Sequence, residues 1–263
     1  MSGIYLNLPH LITKSRPVIL EMLKLRDFDT TTVESLPDEI HQMIANDMCD
    51  FEVSKNKKEG DSDKKEEGDG EVGDGVGDGV GDGAGEEGNS DGNTKTSEKS
   101  KSKIPPFVYQ SLKAYVHYIN QKNTIATVAN YVRQKMEEIE ADSSIEPNNV
   151  DIIIIVKDKP TEAMIKNVYD LSRTHKTFIQ LFWIQTLLFN ILDHVYVPKH
   201  TIISSQEANF IKEKYRLESK YQLPLISSND PVAKFIGMRP GQVCQIDRMS
   251  ETAGSYRTYR CCK

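Results

Sequence analysis

Long apolar runs are missing from this 263-residue chain. No stretch approaches the ~18 residues that a membrane-spanning helix requires, and the N-terminus lacks the layout of a secretory leader, so a soluble protein is expected. Cysteine is scarce as well. Cys49, Cys244, Cys261 and Cys262 form no CxxC pair, and the adjacent Cys261 and Cys262 cannot comfortably share one tetrahedral metal, which argues against structural zinc. Four such cysteines suit reduced thiols in a nuclear or cytosolic compartment. The one tryptophan, Trp183, sits in an apolar run and is expected to fill a core or an interface. No GxSxG, HExxH or P-loop occurs. The six histidines are scattered; His194 and His200 flank Val195–Lys199 without a nucleophile at matching spacing and read as hydrogen-bonding groups at a domain junction. A metal-dependent nuclease would need a second carboxylate near Asp151 and Lys157. Ile155 stands where that acid belongs, so Asp151 reads as part of a buried strand with a lysine at its exit. No catalytic residue, metal ligand or cofactor is assigned.

Glycine is nearly absent outside one window. Twelve of the sixteen glycines lie between Glu59 and Gly92, together with thirteen Asp/Glu against Lys64 and Lys65. That window has a local charge of −11, so the remainder of a chain of formal charge −6 carries +5. Gly73-Asp74-Gly75-Val76 and its successors repeat with a period of four. Glycine's chain entropy, the shortage of apolar groups and mutual carboxylate repulsion leave residues 55–103 unable to offset the cost of ordering, and a disordered acidic insertion is expected. The repeat lacks the alternating ligands and closing bidentate Glu of a 12-residue calcium loop. An inert solvated insertion and an acidic tether for basic partners both remain open.

On either side of the window the patterns are those of an α/β protein. Val18, Ile19, Met22, Leu23 and Leu25 follow Pro17, placed at a first helical turn, and leave Lys14, Arg16, Lys24 and Arg26 on an exposed face. Ile40, Met43, Ile44 and Met48 mark a second helix beginning near Ser35 and Pro37. Leu112, Tyr115, Val116 and Ile119, then Val128, Val132, Met136 and Ile139, predict two more. Val150–Val156 is a continuous Ile-rich run, hence a buried strand. Thr161 caps a helix with Met164, Ile165, Val168 and Leu171 inward, and Phe178–Phe182 is a second strand, parallel to the first. Trp183–Leu192 reads as a buried short helix or strand.

From Val197 to Lys263 the local signals follow without a gap. Ser204 and Glu207 form a capping box ahead of Ala208, Phe210, Ile211, Tyr215 and Leu217. Asp230-Pro231 starts another helix that Gly237 ends, Arg239-Pro240-Gly241 turns the chain, and Gln242–Arg248 and Ser255–Cys261 make a hairpin through Met249–Gly254. Val197-Pro198-Lys199-His200, Tyr215-Arg216-Leu217, Gln222-Leu223-Pro224, Asp230-Pro231-Val232-Ala233, Gly241-Gln242-Val243 and Ser250-Glu251-Thr252-Ala253-Gly254, with Tyr256, Tyr259 and Arg260, occur in this order. This series resembles the C-terminal assembly domain of the fifth-largest subunit shared by eukaryotic RNA polymerases I, II and III, a family that extends to the archaeal RNA polymerase. The resemblance is strong over about 195–263, weaker over 150–195 and 14–35, and absent from 55–103.

The resemblance implies four parts: 1–54, the N-terminal helical part of a jaw-like domain; 55–103, the insertion; 104–195, the rest of that α/β jaw; and 196–263, a small α/β assembly domain with a β-hairpin. It implies a non-catalytic subunit of a multisubunit DNA-dependent RNA polymerase, docked on the largest subunit and supporting the downstream-DNA jaw, with other polymerase subunits as neighbours and no membrane partner. A free-standing transcription regulator using the same docking domain is the alternative. Tyrosine and arginine are frequent interface anchors, which selects Arg248, Tyr256, Tyr259 and Arg260, while the loop with Ser250, Glu251, Thr252 and Gly254 offers hydroxyls, a carboxylate and exposed backbone; the similar family domain packs there against the largest subunit, and Ser255 stands where the family usually has Arg. On the hairpin, Tyr256, Thr258 and Arg260 should share one face, and Arg257, Tyr259 and Cys261 the other. Lys157, Lys159, Thr161 and Lys166 surround a helix start competent for a phosphate. In the family the corresponding turn, Thr-Pro-Ser-Ala, faces downstream DNA. Here it reads Pro160-Thr161-Glu162-Ala163, and a weak, sequence-independent touch on duplex DNA is expected. A nuclear location follows for a cellular chain, a virion or cytoplasmic virus factory for a viral one.

Overall fold

The central strand of the larger sheet is the Ile-rich run, β3 (Val150–Val156), and every one of its seven residues is buried. A strand covered on both faces cannot alternate apolar with polar, which is why its sequence is continuous. The computed structural model describes residues 8–33, 37–46, 48–55, 111–119, 124–142, 145–250, 252 and 254–263. The acidic insertion, Ser35 and Glu251 lie outside the described residues.

The fold is α/β, built on two four-stranded sheets. In the first, β1 (Phe51–Ser54) runs antiparallel to β2 (Lys113–Ile119), and β2, β3 and β4 (Phe178–Trp183) are parallel. The crossover helices α3 (Ile125–Ala141) and α4 (Glu162–His175) cover one face through Val128, Val132, Met136, Ile139, Met164 and Val168. α1 (Leu8–Leu25) covers the other through Ile12, Ile19, Met22 and Leu23, and α2 (Pro37–Ala45) packs beside it. Thr161 caps α4 by accepting from the Met164 amide at 3.3 Å, as the sequence predicts.

Several expectations fail, each for a physical reason. The pattern Leu112, Tyr115, Val116, Ile119 is strand β2, not a helix. Ala114, Val116 and Tyr118 face α1 while Tyr115 and Ile119 face α3, and burial on both faces mimics helical spacing. Leu112 itself is exposed. Pro17 lies inside α1, which begins nine residues earlier at Leu8; the helix tolerates one missing rung there because its inward face is deeply packed. Leu25 and Met48 are exposed, and Met48 falls beyond α2. Arg16 and Arg26 are buried instead of solvated, at 3% and 8% exposure. Trp183–Leu192 is neither one helix nor a strand: Trp183 ends β4, and 3-10 turns follow at Ile184–Leu187 and Ile191–Asp193. Strand β1 was not anticipated.

The second sheet combines β5 (Lys199–Ile202), β6 (Leu225–Ile226), β7 (Val243–Ser250) and β8 (Gly254–Cys262). β7 is antiparallel to β5 and β8, and β6 runs parallel to β8. Helix α5 (Ser205–Lys214) begins with the Ser204–Glu207 capping box, which holds the exposed Glu207 carboxyl below its ordinary range through hydrogen bonds from Ser204. Its inward residues are Ala208 and Ile211; Phe210 and Tyr215 are exposed, because a ten-residue helix on a narrow sheet buries only one stripe. α6 (Pro231–Phe235) starts where Asp230 Oδ1 accepts from the amides of Val232 and Ala233 at 2.9 and 3.3 Å.

Both sheets belong to one compact unit, and buried cations join them. Arg26, at the end of α1, donates through Nε to the Phe235 carbonyl at 3.2 Å and through Nη2 to that of Lys234 at 2.5 Å. Gln180 Nε2 reaches the same Lys234 carbonyl at 3.2 Å, and Lys234 Nζ donates to the Leu181 carbonyl at 3.0 Å. Gly237 has φ +70°, and a Cβ there would stand 2.8 Å from Arg26 Nε. Glycine serves twice at this position, as a left-handed helix end and as room for the guanidinium.

Candidate functional site

The hairpin β7–β8 keeps one register throughout, from Val243 opposite Cys261 to Ser250 opposite Gly254. Directly paired residues share a face, so Arg248, Tyr256, Thr258 and Arg260 project together, on the side where Cys244, Ile246 and Cys262 pack on Ala233, Ile236 and Met238. The opposite side carries Tyr259 and Cys261, packed with Val243 and Ala208 under α5. The face assignment expected from the sequence holds, and it separates the predicted anchors. Tyr259 lies half-buried with its ring 6.3 Å from that of Tyr215, whereas Tyr256 is exposed and Arg248 and Arg260 are half-buried on the other face. At the tip Ser250 Oγ and Thr252 Oγ1 lie 3.2 Å apart, and Gly254 has φ +65° with open space around it. Arg257 Nε donates to Asp247 Oδ1 at 3.1 Å. Sequence reasoning missed Met249, which is 83% exposed beside the turn; its position between two polar strand residues was the available signal.

The predicted phosphate-facing residues fall at one end of the first sheet. Lys157, Lys159, Thr161 and Lys166 are all exposed. Trp183 Nε1 donates to the Lys157 carbonyl at 3.0 Å, which ties that turn to the end of β4. The Thr161 hydroxyl is committed to its cap, and Glu162 lies in the first turn of α4. Glu162 and Lys166 border a cleft of about 390 Å³ lined by Tyr169, Phe178, Lys234 and Pro240. Burial lowers the Lys234 ammonium from its ordinary range, a cost its bond to the Leu181 carbonyl opposes.

Asp151 is not poised for metal chemistry. It is the second residue of β3 while Lys157 follows the strand's last residue, a separation of roughly 20 Å along an extended chain. Its carboxylate is 4% exposed and accepts from Ser111 Oγ at 2.7 Å and Arg239 Nη2 at 2.5 Å, with Arg26 Nη1 at 4.0 Å. Ser111 also bonds the Arg239 guanidinium, which stacks over the Phe178 ring at 4.5 Å. Burial pulls Arg26 down to about 10, with Asp151 opposing the shift and Arg239 adding to it. Arg26 and Arg239 were the residues that sequence reasoning missed here. Arg26 directly follows the apolar helix α1 and Arg239 sits in a turn, so the neighbours of neither residue mark it as buried.

Histidines 194 and 200 serve their own loop: Tyr196 N donates to His194 Nδ1 at 3.3 Å, and His200 Nδ1 lies 2.7 Å from the Pro198 carbonyl. All four cysteines are buried, and burial pushes the thiols of Cys244, Cys261 and Cys262 upward, the last to about 12. Among the described residues no group of three or more His, Cys, Asp or Glu could hold a metal ion, and no helix is long and apolar enough to cross a membrane.

A match to a known protein family falls on the second sheet and the turns just before it. The family model described as RNA polymerase Rpb5, C-terminal domain, matches residues 189–262. Subunit Rpo5 of the DNA-directed RNA polymerase of Pyrococcus abyssi is 47% identical over 72 residues, covering 27% of this chain and 87% of the archaeal protein. The subunit rpabc1 of DNA-directed RNA polymerases I, II and III from Dictyostelium discoideum is 38% identical over 110 residues, 42% of this chain and 55% of that one. Subunit 5B of polymerases IV and V from Arabidopsis thaliana is 33% identical over 126 residues, 48% and 56% of the two chains. The chain thus spans about half the length of the eukaryotic relatives it matches.

Proposed function

From the premise that the chain belongs to the Rpb5 family of RNA polymerase subunits, we propose that it is a non-catalytic subunit of a multisubunit DNA-dependent RNA polymerase. It docks on the largest subunit through the β7–β8 hairpin, using Arg248, Ser250, Glu251, Thr252, Gly254, Tyr256 and Arg260, with Tyr259 holding the hairpin onto α5. The observation that carries this reading is a ribbon of arginine and tyrosine, covered by the protein's own core only at its base, within the stretch where the family resemblance lies. Guanidinium and phenol groups on a rigid strand bind a partner at little entropic cost.

The first sheet forms the jaw-like part, up to about residue 195, and the second the assembly part. Lys157, Lys159, Thr161 and Lys166 are all exposed, around the turn that leads into α4, and suit a sequence-independent touch on the phosphates of downstream duplex DNA. Such a subunit works in the nucleus in a cellular setting. Affinity purification of the tagged full chain tests the reading. Two very large polymerase chains should be retained in stoichiometric amount through high salt. Recovery without them would instead mark a free-standing regulator.

A further inference from the structure

A sheet edge runs along the docking ribbon. β6 pairs only Leu225 and Ile226, opposite Cys261 and Cys262, so among the described residues no strand pairs with β8 on its outer side from Gly254 to Arg260. The Cys262 amide points inward, to the Gln242 carbonyl, and the Cys261 amide outward, to that of Pro224. Alternation along an unbroken register then turns the amides and carbonyls of Ser255, Arg257 and Tyr259 outward. None of these backbone groups meets a hydrogen-bond partner among the described residues. Proteins usually protect such an edge with proline, a bulge or a covering element. β8 contains no proline and keeps a single register, so it has neither a proline nor a bulge to protect it.

We propose that this edge accepts an extended, acidic strand from a larger polymerase chain, which adds to the second sheet beside β8. The inference rests on the docking reading and supplies its mode. Charge identifies the occupant. Arg248, Arg257 and Arg260 lie on the ribbon, against Asp247 as its one described acid, already bonded to Arg257. On the Arg248 face, Arg248 Nε and Thr258 Oγ1 are shielded from water with no hydrogen-bond partner. An added strand with carboxylates at alternate positions brings acceptors to that face while its backbone satisfies Ser255, Arg257 and Tyr259. A second copy of this chain fits poorly, because antiparallel pairing of two β8 edges about Arg257 opposes like charges.

The test uses the tagged full chain and the polymerase purified with it. Hydrogen exchange at the Ser255, Arg257 and Tyr259 amides should slow at least about tenfold on going from the free chain to the complex, the effect of about 1.4 kcal/mol. Arg257→Pro removes one outward donor but no rung of the hairpin, and should lower recovery of the largest polymerase chain by about tenfold or more. Arg257→Ala, which keeps the amide, should lower it about threefold at most. Unchanged exchange in the complex overturns the inference while docking stands, and decides the matter even if the proline variant fails to fold. So does full recovery with a folded proline variant. A wild-type chain that recovers no polymerase overturns the docking reading itself. A free chain that is dimeric, with these amides already protected, gives the edge to a second copy.

Discussion

Replacing Asp151 by alanine removes the carboxylate from a buried pocket that holds two guanidinium groups. The carboxylate accepts from Ser111 and Arg239 and lies 4.0 Å from Arg26, all with under 10% exposure. Breaking a buried ion pair from one side typically costs about 3–5 kcal/mol, because the charge left behind is neither solvated nor paired. Two cations remain here, so the upper part of that range applies. In a unit of this size each kcal/mol moves the midpoint by about 2–4 °C, and a fall of roughly 10 °C or more is expected. Asp151→Asn retains a hydrogen-bond acceptor and should cost about 2 kcal/mol. The combined change Arg26→Met, Asp151→Leu, Arg239→Met removes every charge. It leaves the Phe235 carbonyl without its arginine donor, while the Lys234 carbonyl keeps Gln180. It should therefore cost only about 1–3 kcal/mol, less than the single alanine. Urea unfolding of the three full-length variants measures this directly. An alanine variant within about 1 kcal/mol of wild type, or a triple variant worse than the single one, would refute the reasoning.

Gly237→Ala should destabilise by about 2 kcal/mol or more, since it combines left-handed strain with a Cβ placed on Arg26. Gly254→Ala, at similar φ in open space, should show only the strain; equal melting temperatures would contradict this. The buried thiols predict an alkaline weakness. Their folded pKa values lie above the ordinary 9, so the folded state holds protons that the unfolded chain releases. The stability they contribute is complete below that value and falls as pH rises from there towards about 12. Urea midpoints of wild type and Cys262→Ala, compared from pH 7 to 10, should diverge from a constant offset above about pH 9. Changing Lys157, Lys159 and Lys166 together to alanine should flatten the salt dependence of downstream-DNA retention by about 0.9 unit per lost phosphate contact; an unaltered slope counts against any contact there.

Much of the second sheet was legible because its signals are local. The Ser204–Glu207 box, the Asp230-Pro231 helix start, Gly237 and the hairpin each depend on residues within a few positions of one another, and each recurs in the structure. Strand β2 was misread because burial on two faces places apolar residues at helix-like intervals, and periodicity cannot separate the two. Arg16 and Arg26 looked solvated because a helix pattern shows which stripe is apolar, not what packs against the other side.

Sequence alone determined the strand and helix types wherever capping, turn chemistry and a continuous apolar run agreed, and with them the family and the faces of the hairpin. Tertiary structure alone decided that Asp151 belongs to a buried knot with Arg26 and Arg239, residues 125 and 88 positions away, and that β8 keeps an open edge. The reason is range. Backbone preference acts over a few residues, while the partner of a buried charge or a sheet edge is chosen by how distant segments pack.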